Sequence, residues 1–146
     1  SPNTLSTAVK AKGMPAISHR LHRITQRYGL SPGRMEDSLE LFANILQEYH
    51  ACASFPITAV TLERYPHIIL PYLGSHIEFC VHGYTHSDIS LFQQPHIEAH
   101  IRKAMQVFKD RGVPAQGYRS PYLSRSPSLQ AALETAGFVF TSNQPI

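Results

Sequence analysis

The sequence predicts an α/β protein in which parallel strands alternate with covering helices. Three segments carry apolar residues at helical spacing, and short apolar runs rich in strand-forming residues separate them. These helices and strands recur about 25–35 residues apart, the rhythm of βαβ units in a parallel sheet. A chain of 146 residues suits one domain with a single core.

The first helix is predicted in SPGRMEDSLELFANILQEYH. It begins at Ser31, a favoured capping residue, with Pro32 in the first helical position. The apolar residues at helical spacing are Met35, Leu39, Phe42, Ala43 and Leu46. One face of this helix is therefore expected to be buried.

Two strands are predicted next, in ACASFPITAV and SHIEFCVHG, with a short helix and a turn between them in TLERYPHIILPYLG. The two cysteines, Cys52 and Cys80, fall within these strand-like runs. Two thiols do not make a disulfide framework in a domain of this size, so we expect buried free thiols.

The second long helix opens at Pro95 and closes at Gly112. Its apolar stripe consists of Ile97, Ile101, Ala104, Met105 and Phe108. A loop and strand follow in VPAQGYRS, then a third helix between Ser126 and Gly137, and FVFTS supplies the last strand. Residues 1–22 have no clear period and are predicted to form an N-terminal arm on a domain covering 23–146.

Composition narrows the range of partners. The net charge of +3 comes from scattered Lys and Arg, without a basic block, so nucleic acid is not an expected partner. The sequence has no apolar run approaching the roughly 18 residues of a membrane span. The first residues also lack the apolar core of a secretory signal, and localisation is left open.

Histidines supply the first candidate site. Nine histidines make a chance pair at HxxxH spacing common, and the chain contains two such pairs. We interpret His96 and His100, on the flank of a predicted helix, as exposed structural residues. His82 and His86 directly follow a predicted strand, where ligands gather in parallel α/β folds. They are either half of a metal site, which normally needs a third protein ligand, or two histidines that fall close together by chance.

Two motifs in this order carry a resemblance to a known family. EFCVHGYTH at residues 78–86 and GYRSPYL at residues 117–123 resemble motifs of the polysaccharide deacetylase (NodB-homology) family of carbohydrate esterases. CASFPITAVTLERYP also resembles the family's strand before the histidine motif. The resemblance covers roughly residues 20–146 and implies part of a distorted (β/α) barrel.

The resemblance implies a role for each matching residue. His82 and His86 would bind a divalent metal, usually zinc, and Arg119 would line the groove and hold the catalytic carboxylate. Tyr122 would offer its backbone N–H to the oxyanion of the tetrahedral intermediate, in a turn fixed by Pro121. Pro121 and Tyr84 are the predicted substrate-binding residues.

The chain departs from the family pattern at two points. Gln26 and Arg27, in RITQRYG, stand where the family has an Asp-Asp pair, so the third metal ligand is not identified. Glu36 and Asp37 lie inside the following helix and are poor substitutes. The family's later segment, with its catalytic histidine, has no counterpart, so we expect either the front part of a longer protein or a short form.

Two functions follow as expectations. The first is a metal-dependent deacetylase-like hydrolase that removes acetyl groups from sugar amides or esters. The second is a non-catalytic module of the same fold that serves binding or self-assembly. A barrel cut short leaves strand edges uncovered, so a homo-oligomer is expected under either one.

Overall fold

A computed structural model of the chain describes residues 32–143. The chain divides into two compact units, Ser1–Leu39 and Glu40–Ile146. The sheet and the candidate site lie in the second unit, and only Pro32–Leu39 of the first unit is described. The predicted arm, the helix cap at Ser31, and Gln26 and Arg27 lie outside the described residues.

Helices and strands alternate along the chain as predicted. The helices are α1 (Pro32–Glu48), α2 (Ala59–Arg64), α3 (Pro66–Ile69), α4 (Gln94–Asp110) and α5 (Pro127–Ala136). The strands are β1 (Ala53–Ile57), β2 (Ile77–Val81), β3 (Gly117–Tyr118) and β4 (Phe140–Thr141). Two short 3₁₀ segments, Leu70–Tyr72 and Pro121–Leu123, complete the described elements.

The four strands form one parallel sheet in the order β1-β2-β3-β4. In the register, Ile57 pairs with Val81, Val81 with Tyr118, and Tyr118 with Thr141. Each connection between neighbouring strands contains at least one helix, as parallel pairing requires. Sequential parallel strands with helical crossovers are the arrangement of a (β/α) barrel, and the predicted fold class is confirmed.

The core forms where the predicted helical stripes meet the sheet. In α4, the residues Ile97, Ile101, Ala104 and Phe108 are buried, and in α5 Leu129, Ala132 and Leu133 are buried. The Phe42 ring of α1 packs against Phe55 of β1, with ring centroids 5.4 Å apart. The cap at Ser126 is also as predicted, because its side chain accepts a hydrogen bond from the Leu129 N–H.

The prediction that both thiols are buried is wrong for one of them. Cys80 is buried, and burial raises the pKa of its thiol to about 11, but Cys52 is exposed. The reason is that β1 begins at Ala53, which leaves Cys52 in the connection after α1. Of the predicted α4 stripe, Met105 is partly buried and lines a cavity of about 580 Å³ between α4 and α5. Among the described helices, none is long and apolar enough to cross a membrane.

Candidate functional site

The candidate site begins at the carboxyl edge of the sheet, in the residues that directly follow three strands. His82 follows β2, Arg119 follows β3, and Ser142 follows β4. Each donates its backbone N–H to the last carbonyl of the neighbouring strand in the sheet. The acceptors are Ile57 of β1, Val81 of β2 and Tyr118 of β3, at 2.9 to 3.0 Å. Main-chain hydrogen bonds therefore set these three residues side by side.

Side chains connect the same three positions. The His82 imidazole bonds through Nδ1 to the Arg119 carbonyl oxygen at 2.7 Å. The Arg119 guanidinium donates to the Ser142 hydroxyl at 2.9 Å. His82 and Arg119, which the sequence predicted at neighbouring strand ends, are thus in direct contact.

The hydrogen bond to Arg119 fixes the tautomer of His82. A carbonyl oxygen can only accept, so Nδ1 carries the proton and Nε2 keeps a free lone pair. Metal-binding histidines commonly have this arrangement, with the second ring nitrogen held by a carbonyl or carboxylate. Burial lowers the pKa of His82, and the charges of His86 and Arg119 add to this effect, whereas the hydrogen bond to the Arg119 carbonyl opposes it. The net shift is downward, so the neutral, ligating form is favoured.

The second predicted ligand, His86, lies beside the first. The two imidazole centroids are 4.9 Å apart with an angle of 63° between the rings, and His86 is exposed. The ring of Tyr122 also packs against His86, with centroids 4.7 Å apart and an angle of 74° between the rings. The structure thus brings His82, His86, Arg119 and Tyr122 into one cluster.

The Ser120–Leu123 segment adds an unusual backbone. Tyr122 has φ 59° and ψ 13°, and Leu123 also has a positive φ of 54°. Left-handed conformations cost energy in residues with a Cβ and occur most often where a site demands a particular backbone direction. The turn closes through hydrogen bonds from the Leu123 N–H to the Ser120 carbonyl and from the Ser124 N–H to the Pro121 carbonyl. Pro121 is buried.

Tyr84 occupies the middle of the turn between the two histidines. Its hydroxyl donates to the Glu63 carboxylate at 3.0 Å, and the Lys103 ammonium lies 3.7 Å from the centre of its ring. These contacts attach the Tyr84 side chain to α2 and α4. Its predicted contact with substrate stays a prediction.

Two acidic residues near this turn already have polar partners. Asp88 accepts hydrogen bonds from the N–H and the hydroxyl of Ser90, and these bonds lower the pKa of its carboxyl. Glu63 accepts from Tyr84. Within residues 32–143, no group of three or more His, Cys, Asp or Glu side chains could hold a metal ion. The described part of the chain therefore places two imidazoles side by side and provides no complete set of metal ligands.

Two residues of the site were missed in the sequence. The half-buried His100 accepts a hydrogen bond from the Tyr84 N–H, so its interpretation as an exposed helix residue is wrong. Its spacing from two stripe residues, three positions after Ile97 and four before Ala104, is the signal that could have indicated burial. Asn143 is buried and accepts the Ser120 N–H at 2.7 Å, but nothing in the sequence distinguishes it from a turn asparagine.

Asn143 gives a first testable prediction. Asn143→Leu leaves the buried Ser120 N–H without an acceptor, which should lower the free energy of unfolding by about 1–3 kcal/mol in urea denaturation of the intact chain. Asn44→Leu, the same substitution at an exposed position of α1, should change it by no more than about 0.5 kcal/mol. Equal losses in the two variants would contradict the role assigned to Asn143.

Comparison with known proteins gives the family. Residues 24–141 match the family model described as polysaccharide deacetylase, which is more than half of the chain. The chain belongs to the polysaccharide deacetylase family. Members of this family generally use a divalent metal. No curated protein matches the chain.

Solved structures similar to this polysaccharide deacetylase domain share its fold. A Mycobacterium smegmatis protein inferred to be a polysaccharide deacetylase has a TM-score of 0.70 at 22% identity, covering 90% of this chain and 45% of that one. For a Bacillus anthracis pseudoenzyme of carbohydrate esterase family 4 the TM-score is 0.67 at 13% identity, covering 73% and 38%. For a Streptomyces lividans family 4 carbohydrate esterase, solved with acetate, it is 0.61 at 17% identity, covering 67% and 52%. The chain spans about half or less of each of these proteins.

Proposed function

We propose that this domain carries the metal-binding part of the active site of a metal-dependent carbohydrate deacetylase. The observation that carries the proposal is the geometry of the histidine pair. His82 has its Nδ1 proton bound to the Arg119 carbonyl and its Nε2 free, and His86 lies 4.9 Å away between ring centroids. Zinc suits such imidazole ligands, and a third ligand and an open position would complete a catalytic site.

The reaction would be hydrolysis of an acetamide or acetate ester on a sugar. Water adds to the acyl carbonyl, the C–N or C–O bond breaks, and acetate leaves with the free amine or alcohol. A divalent ion bound by His82 and His86 would supply Lewis-acid polarisation of the carbonyl and lower the pKa of water. The chain's own residues would orient the acyl group and receive the charge that develops on its oxygen.

Three further residues have proposed roles in this reaction. Tyr122 would present its backbone N–H to the oxyanion. Its left-handed conformation supports this role, because such a conformation is costly and occurs most often where a site requires one direction of the backbone. Buried Pro121 would fix that turn, and its predicted contact with the substrate stays a prediction. Arg119 would orient a catalytic carboxylate supplied from outside the described residues. Gln26 and Arg27, which stand in the sequence where the family has its Asp-Asp pair, are not carboxylates and cannot fill that role.

A non-catalytic module is the second candidate function. Two observations favour it: the described residues lack a third ligand, and one structure with the same fold is a pseudoenzyme. Under this alternative, the domain keeps the barrel segment for binding or assembly. In the described sheet β1 and β4 are edge strands, which supports self-association, and light scattering of the intact chain would reveal it.

An acetate-release assay distinguishes the two functions. The intact chain is incubated with an acetylated chito-oligosaccharide and with acetylated xylan, with added zinc or with a chelator. We expect zinc-dependent acetate release that His86→Ala abolishes. Zinc binding without acetate release from either substrate would favour the non-catalytic module, and the absence of both would refute the proposed metal chemistry.

A further inference from the structure

The turn between His82 and His86 is held through its backbone by two helices. The carbonyls of Gly83 and Tyr84 accept hydrogen bonds from the N–H groups of Ala59 and Val60, each at 3.0 Å. These donors are the first two residues of α2. The main chain at the centre of the turn is therefore fixed from the α2 side by its oxygens.

A second helix, α4, holds the same turn through a side chain. The Tyr84 N–H donates to Nε2 of His100, on α4, at 2.9 Å. Because an N–H can only donate, Nε2 must be the unprotonated nitrogen of a neutral imidazole. Burial lowers the pKa of His100, and the nearby Lys103 acts in the same direction, so the form that can accept this bond is favoured.

The close approach of His100 depends on the glycine next to Tyr84. A Cβ built on Gly83 would lie 3.3 Å from His100 Nε2. Gly83 also has φ +78°, a left-handed conformation that glycine adopts without strain. The imidazole of α4 thus fits directly against the backbone of the turn.

We propose that His100 is a positioning residue for the metal half-site formed by His82 and His86. By accepting the Tyr84 N–H, it fixes the turn whose ends carry the two imidazoles. Residues that orient metal ligands from outside the coordination sphere typically alter metal affinity about 10–100-fold when removed. The role of His100 in metal binding rests on the proposed function. Its stabilisation of the turn through the Tyr84 N–H can be measured without metal.

The experiment compares three variants of the intact chain with the wild type. His100→Ala removes the acceptor, and His100→Gln places an amide oxygen near the position of Nε2 and should restore the bond. His96→Ala is the matched control, because His96 is an exposed histidine one turn earlier on α4. Thermal unfolding verifies that each variant folds.

Two readouts separate positioning from metal binding. In metal-free protein, amide hydrogen exchange at Tyr84 should be about five- to tenfold faster in His100→Ala and close to wild type in the other two variants. In calorimetry with Zn²⁺ alone, His100→Ala should bind about tenfold more weakly, and His100→Gln should recover most of the affinity.

Each failure has a distinct meaning. Unchanged Tyr84 exchange in His100→Ala would overturn the positioning role, whatever zinc does. Faster exchange together with wild-type zinc affinity would overturn the link between the turn and the metal half-site. A wild-type chain that does not bind zinc would overturn the proposed function, while Tyr84 exchange would still decide whether His100 holds the turn.

Discussion

Replacing either His82 or His86 with alanine is expected to lower the zinc affinity of the intact chain by at least about 100-fold, because even an indirect metal partner contributes about 10–100-fold. Each variant removes one of the two imidazoles that the fold places 4.9 Å apart. Calorimetric titration of Zn²⁺ measures the loss. His96→Ala, an exposed histidine of α4, is the control and should bind as the wild type does.

The two histidine variants should differ in stability. His82 is half-buried and its Nδ1 bonds to the Arg119 carbonyl, so His82→Ala should also lower the free energy of unfolding by about 1 kcal/mol. His86 is exposed, and its loss should leave stability nearly unchanged. If the His96 control lost as much affinity as the other two, zinc would be binding to surface histidines in general.

Gly83→Ala is expected to lower the free energy of unfolding by about 2–4 kcal/mol and to abolish high-affinity zinc binding. Gly83 has φ +78°, and a Cβ there would lie 2.9 Å from the Thr85 carbonyl oxygen and 3.3 Å from His100 Nε2. The nearest atom belongs to the backbone of the same turn, so relief of the contact must displace the segment between the two histidines. Urea denaturation and zinc calorimetry measure the two effects.

Gly112→Ala is the control that separates the backbone strain of a positive φ from the steric contact of an added Cβ. Gly112 has a similar φ of +69°, but a Cβ there would meet no atom within 4 Å. Its replacement should therefore carry only the backbone penalty of about 1–2 kcal/mol and leave zinc binding intact. Similar results for both glycines would mean that the histidine turn accommodates a methyl group and that its shape is not as constrained as we infer.

Features that depend on local pattern were predictable from the sequence. Periodicity predicted α4, a short apolar run predicted β2, and the Ser-Pro pair predicted the cap at Ser126. The rule that ligands gather at strand ends selected His82 and Arg119. The family resemblance then assigned roles to these residues. This success reflects the fact that helix faces, caps and strand ends are encoded within a few neighbouring residues.

The features that were missed depend on contacts between distant segments. His100 and Tyr84 are 16 positions apart, and Ser120 and Asn143 are 23 apart, so no local pattern reveals either hydrogen bond. The positive φ of Tyr122 was also unpredictable, because tyrosine does not favour the left-handed region. Cys52 was assigned to a strand because its apolar neighbours conceal where β1 begins.

The carboxyl edge has a consequence for how this domain can change. The spacing of His82, Arg119 and Ser142 is set by their backbone N–H groups, each of which donates to the end of the neighbouring strand in the sheet. Evolution can therefore exchange the side chains at these positions one at a time while the scaffold stays in place. A protein engineer can use the same freedom to test new reactive groups at one position without rebuilding the others.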